Sequence, residues 1–339
     1  MSTKLFSPLQ IRGLTVKNRI MLAPMCQYSA VNGIANDWHL VHLGSRAIGG
    51  AGLIMVEATG VVSEGRISNG CLALFNQAQC DALKPVTKFL KSQNSIPAIQ
   101  LAHSGRKGVG DWEVYAPSSI AFSEQSKKPR ELTAQEIYQL VEHFSHSARL
   151  ALEAGFEVIE AHMAHGYLMH QFLSPLTNKR NDEFGGSLDN RMKFPLLVAQ
   201  ALRDTWPKDW PVFVRISATD WMQGGWDLEQ SVVLCNALKK IGIDLIDVSS
   251  GGTVANASIP VAPGFQVPFA KEIKKQVGIL TGTGGLITQA RQAEDILTNQ
   301  DADAIFLGRE LLREPSWPIK AALELGEKIA IPKQYERAY

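Results

Sequence analysis

The chain alternates between short, nearly unbroken apolar runs and longer stretches in which apolar residues recur every three or four positions. The first kind reads as strands buried on both faces, the second as amphipathic helices. A small hairpin is expected over residues 4–20, with Gly13 in its turn, and residues 20–24 form the first buried run, closed by Pro24. Further runs lie at 52–57, 96–103, 157–161, 212–216, 244–249, 279–281 and 304–307. Helical patterns follow them in turn, at 39–48, 76–94, 133–154, 189–206, 228–241, 267–277, 289–299 and 316–326. Thr133 and Glu136 have the spacing of a capping box, and Gly49-Gly50 end the first helix. Eight such units predict an α/β fold, the TIM (β/α)8 barrel, with an N-terminal hairpin and loop insertions after strands 3, 4 and 6. A doubly wound sheet is the alternative, but it usually has fewer units. No fixed-period repeat and no low-complexity linker divides the sequence, so residues 1–339 are expected to form a single domain.

Composition narrows the function classes. Hydrophobic residues make up 45% and charged residues 20%, a globular profile. A formal net charge of +1 provides no broad field to recruit nucleic acid or an anionic membrane. No apolar run reaches the length of a membrane span, and residues 1–8 lack a signal-peptide core. The cysteines Cys26, Cys71, Cys80 and Cys235 form no CxxC pair. Their scatter argues against a disulfide framework and against a zinc or iron–sulfur site, and a cytoplasmic location is expected.

Barrel enzymes carry their active sites at the C-terminal ends of the strands. Here those ends supply Ala23, Pro24, Met25 and Cys26 from strand 1, Ala58 from strand 2, and Gln100 with His103 from strand 3. Strand 4 runs into His162, His165 and Tyr167, broken by Gly166, and strand 5 carries Arg215. The last two strands end in Gly282 to Gly285, including Gly284 and Gly285, and in Gly308-Arg309. Glycine turns after strands 7 and 8 suit a phosphate, approached closely by backbone N–H groups and met by an arginine. Barrel turns are also rich in glycine for purely structural reasons. There is no GxGxxG after the first strand and no Walker sequence. A phosphorylated cofactor resident in the barrel mouth is therefore expected, and a flavin ring fills the remaining space.

Gln100 has an amide that reads the donor and acceptor edge of such a ring, or simply bonds backbone. Arg215 is placed to set a positive charge beside a ring that becomes anionic on reduction, or to form a rim ion pair. Two histidines and a tyrosine at one strand end suggest an oxygen clamp with a proton donor. The rival is a metallohydrolase in which His103 joins His162 and His165 on zinc; it lacks the acidic ligand and strand-1 HxH that such sites use. A non-catalytic flavin-binding protein would keep the glycines and Arg309 without needing the histidines.

The motifs resemble the Old Yellow Enzyme flavoproteins, closest to their bacterial, thermophilic-like class. The residues that carry the likeness are 23–28 (APMCQY), 99–107 (IQLAHSGRK), 162–167 (HMAHGY), 172–175 (FLSP), 178–180 (NKR), 185–187 (GGS), 190–191 (NR), 307–313 (LGRELLR) and 334–339 (QYERAY). The resemblance covers essentially the whole chain. It implies non-covalent FMN, reduced by NADPH or NADH, and reduction of activated C=C bonds in α,β-unsaturated carbonyl compounds, with quinones or nitro compounds as further acceptors. By position it implies that Ala23 to Cys26, Ala58, Gln100, Arg215, Gly308 and Arg309 meet FMN, and that Tyr28, His162, His165 and Tyr167 meet substrate. It further implies that Cys26 tunes the flavin, and that Arg337, in a tail spanning 328–339, reaches a neighbouring subunit's site in a homodimer or dimer of dimers. Two positions depart from the pattern: Met163 stands where alanine is usual, and Tyr339 where tryptophan is common.

Overall fold

The computed structural model describes residues 3–339. Near the start, β1 (Leu9–Ile11) and β2 (Leu14–Val16) pair antiparallel around Gly13. A Cβ on Gly13 would meet the Asp209 carbonyl oxygen at 2.9 Å, so the turn needs glycine to seat against that loop. Leu9, Ile11 and Val16 pack with Met21, Leu53, Phe213 and Phe306 in the inner core. The hairpin thus closes the floor of the barrel.

The barrel begins with β3 (Ile20–Leu22), α1 (Asp37–Ile48), β4 (Leu53–Gly60), α2 (Gln77–Ser92) and β5 (Ile96–Ala102). An insertion then carries a two-stranded sheet of β6 (Tyr115–Ala116) and β7 (Arg130–Glu131). Next come α3 (Ala134–Glu153), β8 (Val158–Met163), a short α4 (Leu168–Leu173), α5 (Leu188–Thr205), β9 (Val212–Ser217) and α6 (Leu228–Ile241). The chain finishes with β10 (Leu245–Ser249), α7 (Val267–Val277), β11 (Leu280–Thr283), α8 (Ala290–Thr298), β12 (Ala304–Leu307), α9 (Arg309–Arg313) and α10 (Trp317–Leu325). Strands β3, β4, β5, β8, β9, β10, β11 and β12 close a parallel barrel in that order. The Thr133–Glu136 capping box forms, with both reciprocal bonds present.

Two core layers arise from the period-two alternation of each strand. Ile159, Ala161 and Met163 face outward into the helix layer, and Val158 faces the lumen. The same alternation sends Glu160 and His162 inward. Met163 is fully buried in the outer layer, so its departure from the family pattern falls on packing and not on the barrel mouth.

The 178–182 loop overturns an expectation. Its run of polar and charged residues reads as a solvated loop, yet Asn178 and Arg180 are buried. The Asn178 amide donates to the Phe172 and Phe184 carbonyls at 2.8 Å each. The Arg180 guanidinium donates to the Leu132 and Pro117 carbonyls at 2.6 and 3.1 Å and pairs with Asp182. These side chains satisfy backbone oxygens that the insertions after β5 and β8 would otherwise bury unpaired. By contrast, Lys127 and Lys128 are exposed.

Candidate active site

The strand ends converge on a cavity of about 360 Å³. Its wall includes Ala23, Pro24, Met25 and Cys26 after β3, Tyr28 beyond them, and Ala58 on β4. Gln100, His162, His165, Tyr167 and Arg215 line the middle, and Gly284, Gly285, Gly308 and Arg309 line the far side. Arg337, expected to reach a neighbouring subunit's site, does not line this cavity and lies exposed in the final turn. His103 also turns elsewhere, burying its ring and accepting the Gly105 N–H on Nδ1 at 3.0 Å. Among the described residues, the groupings that could hold a metal omit His103, His162 and His165, so the three-histidine zinc site does not form.

Below the mouth the lumen is charged. Gln100 and Glu160 face each other on neighbouring strands, and the Gln100 amide nitrogen donates to Glu160 at 2.7 Å. That bond fixes the amide, leaving its oxygen as the acceptor. Arg215 pairs with Asp247 on β10 at 3.0 Å, although the Nε–H does not point along the line between them and both groups lack a full hydrogen bond. Burial pushes the Glu160 carboxyl up to about 8, Asp247 adds to the rise, and Arg215 opposes it. Burial likewise raises Asp247, again against Arg215. Glu160 and Asp247 do not stand out in the sequence, because Glu160 sits inside a run that reads as apolar. A signal is there nonetheless: the alternation that points His162 inward points Glu160 inward too.

The histidine corner is built on strain. His165 and Gly166 both adopt positive φ, +57° and +70°. A Cβ on Gly166 would overlap the Gly252 carbonyl oxygen at 2.1 Å. The Gly166 N–H donates to His170 Nδ1 at 2.9 Å, and His170 Nε2 faces Asp220 at 3.0 Å, both fully buried. The turn is thereby held from behind. It brings the His162 ring to 5.3 Å from His165 and 5.1 Å from Tyr167, edge to face in each case.

Burial, reinforced by Arg215, holds both histidines well below their ordinary pKa, so each ring is a neutral imidazole. His162 Nδ1 is buried without a protein partner. His165 Nε2 lies 2.7 Å from the Ser249 hydroxyl, which accepts from the Gln266 amide at 3.0 Å. A hydroxyl proton given to Nε2 leaves the Nδ1–H of His165 free for the cavity. Burial, with Cys26 next, raises the Tyr167 phenol above its ordinary value, so it keeps its proton. Lys107 donates to the His165 and Gly252 carbonyls at 2.8 and 3.1 Å, and its ammonium stands 5.0 Å above the Tyr167 ring. Lys107 and Gln266 are not among the expected site residues. Their part arises from loop contacts that no local pattern encodes.

The far side fits a phosphate-bearing ligand. Gly284 packs so tightly that a Cβ would meet the Phe306 carbonyl oxygen at 2.8 Å, and Gly285 has φ of +94°. Arg309 and Arg313 flank these turns. The cavity has glycine turns and two arginines on one side, an amide at its centre, and buried donors without protein partners. It suits a planar heterocycle with a phosphate tail.

Such a site in a (β/α)8 barrel defines the class of barrel flavoprotein oxidoreductases. Residues 4–328 match the NADH:flavin oxidoreductase / NADH oxidase family, and the chain belongs to it. It is 51% identical over 339 residues to an NADPH dehydrogenase of Listeria welshimeri, covering 99% of each chain. Among solved structures, a morphinone reductase superposes with a TM-score of 0.83 at 25% identity, covering 98% of this chain and 92% of that one. An old yellow enzyme homologue from Zymomonas mobilis gives 0.81 at 26% identity, covering 96% and 94%. The protein is an oxidoreductase of the Old Yellow Enzyme family, with FMN as cofactor and a nicotinamide nucleotide as reductant. No helix among the described residues is long and apolar enough to cross a membrane.

Proposed function

We propose that the protein reduces activated C=C bonds of α,β-unsaturated carbonyl compounds, with quinones and nitro compounds as further acceptors, reductant and acceptor using the same cavity in turn. The observation that carries this reading is the pair of neutral histidines, His162 and His165, set beside a protonated tyrosine on one wall of the cavity. Bound FMN supplies a two-electron carrier between the nicotinamide nucleotide and the acceptor. Gln100 would offer its amide oxygen, and Arg215 a positive charge, to the ring, and Gly284, Gly285, Gly308 and Arg309 would hold the phosphate.

His162 and His165 each donate an N–H to the acceptor's carbonyl oxygen. That oxygen gains negative charge as the double bond is reduced, so the two donors act most strongly in the transition state. Neutral rings suit this task, because an imidazolium would surrender its proton and bind the ground state as well. Tyr167 holds a proton at its phenol oxygen for the α-carbon. Tyr28, exposed at the rim, covers the acceptor from outside.

Arg337, in the part of the 328–339 tail that is exposed from residue 333 on, reaches a neighbouring subunit's cavity in this reading, which makes a dimer the working unit. Morphinone reductase, by its name, acts on a ketone, in keeping with the acceptor class. The test is anaerobic reduction of the yellow protein by NADPH, followed by cyclohexenone. Bleaching and recovery of the flavin absorbance support the proposal. A protein that bleaches and is not reoxidised by any enone, quinone or nitro compound contradicts it.

A further inference from the structure

Beside the cavity, three side chains that are far apart in sequence meet. Cys26 follows β3, Glu57 lies on β4, and Cys71 lies in the loop after β4. The sulfurs of Cys26 and Cys71 and a carboxylate oxygen of Glu57 lie within 4.8 Å of one another. The meeting is enforced by backbone. The Ala30 N–H donates to the Gly70 carbonyl at 2.9 Å, and a Cβ on Gly70 would meet the Tyr28 carbonyl oxygen at 2.5 Å. The loop carrying Cys71 is therefore pressed onto the segment carrying Cys26. Spacing alone places Cys71 in a structural role, because 45 residues separate the cysteines and no CxxC joins them.

Glu57 is the second observation. It is only 3% exposed, and its Oε1 has no hydrogen-bond partner. Oε2 accepts the Gln27 N–H at 3.2 Å. The nearest donor to Oε1 is His39 Nε2 at 3.5 Å, too long for a full hydrogen bond. The His39 Nδ1 accepts the Asn36 N–H in the α1 capping box, so its proton lies on Nε2 and faces the carboxylate. Metal-ligating carboxylates are commonly hydrogen-bonded from behind, and His39 is the group placed to close that bond. A buried carboxylate with an unpartnered oxygen is relieved either by holding its proton, the direction in which burial pushes Glu57, or by a cation at the centre of the group.

We propose that Cys26, Cys71 and Glu57 form a binding site for a thiophilic divalent cation such as Zn²⁺, with the fourth position left to water. Ligands ~2.0–2.3 Å from a tetrahedral zinc lie roughly 3.5–4 Å from one another, so the three atoms need only a small inward movement. Two sulfurs select zinc or cadmium over magnesium and calcium, which want oxygen cages. Binding converts two thiols to thiolates and releases two protons; no electron moves. Because Cys26 also lines the active cavity, a bound cation immobilises that wall and inhibits turnover. The inhibition rests on the reductase reading above; the binding does not.

The test is titration of the reduced, FMN-loaded protein with Co²⁺ under a non-thiol reductant, followed by Zn²⁺ in competition with a chromophoric chelator. One cobalt should bind per chain, with tetrahedral ligand-field bands at wavelengths beyond the flavin absorption, and Zn²⁺ should abolish them. Cys71→Ser should keep its FMN and its turnover but lose more than ~100-fold in zinc affinity, beyond the ~10–100-fold typical of losing an outer-shell partner. Glu57→Gln should weaken binding as well, and Mg²⁺ should not compete. Absence of cobalt bands, or unchanged zinc affinity in Cys71→Ser, overturns the proposal. So does a protein that cross-links Cys26 to Cys71 in air yet takes no metal when reduced. Zinc binding without any loss of turnover would leave the site standing and refute its inhibitory role.

Discussion

Gln100 and Glu160 meet inside the barrel, amide to carboxylate at 2.7 Å, on adjacent strands, with Gln100 in the cavity wall. The pairing joins a residue expected to read the flavin with one that the apolar run around it conceals. It also makes the lumen titratable. Folded Glu160 releases its proton at about 8, far above the ordinary carboxylate value. A carboxyl whose folded pKa is raised contributes stability below its unfolded pKa of about 4.5 and loses it as pH rises through the folded value. Glu160→Gln removes that contribution. The variant's melting temperature relative to the parent should therefore rise steadily between pH 5 and pH 8, measured by calorimetry on the FMN-loaded proteins. A parallel pair of profiles would show that Glu160 does not titrate in this window.

Buried histidines act in the opposite sense. Burial lowers His42 to about 4 and His103 to about 3. Their neutral folded forms contribute stability that is fully present above about 6.5 and is lost as pH falls toward the folded values. Acid unfolding should therefore begin below about pH 6.5, and His103→Gln should reduce the steepness of that decline. An unchanged acid limb in equilibrium denaturation at several pH values would count against it.

Ser249 bears on His165 through a 2.7 Å bond to Nε2. Ser249→Ala removes the group that orients the ring while leaving the ring itself. One hydrogen bond is worth about 0.5–1.5 kcal/mol, so kcat/KM for an enone should fall about 2- to 13-fold. The loss should be smaller than that of His165→Ala, and FMN affinity should not change. An equal loss in both variants would mean that His165 acts only when held by Ser249.

Arg180 is a structural test of the insertions. Arg180→Met leaves the Leu132 and Pro117 carbonyls without their donor. Each buried unsatisfied group costs about 1–3 kcal/mol, so the variant should lose at least about 2 kcal/mol in denaturant unfolding. A change within about 0.5 kcal/mol would return this loop to the solvated role that its composition suggests.

What the sequence makes legible divides along physical lines. Period-two and period-3.6 patterns are local, and they locate all eight barrel strands, with β12 at 304–307 and α6 at 228–241 placed to the residue. The other strands shift by a few residues at their ends; β4 runs on to Gly60, three residues past the expected run. The short helices α4 and α9 escape notice because five or six residues carry no periodicity to read. The cavity wall is legible because barrel topology fixes where strand ends must gather. Contacts that close over long separations are not: Cys26 with Cys71, Lys107 with His165, and Arg180 with Leu132 arise from loop conformations that no local pattern encodes. Charge inside an apolar run is the other blind spot, and Glu160 falls in it.

The most direct measurement concerns the two histidines. Phenols mimic the oxygen that develops charge on the acceptor, and their binding to the flavin form can be followed by absorbance. His162→Ala and His165→Ala should retain FMN while each binds phenols about 10- to 150-fold more weakly, as expected for losing a hydrogen bond to a charged oxygen worth about 1.5–3 kcal/mol. Enone reduction should fall ~10²-fold in each variant. Phenol affinity unchanged in both variants, with FMN bound, would contradict the oxygen clamp at its centre.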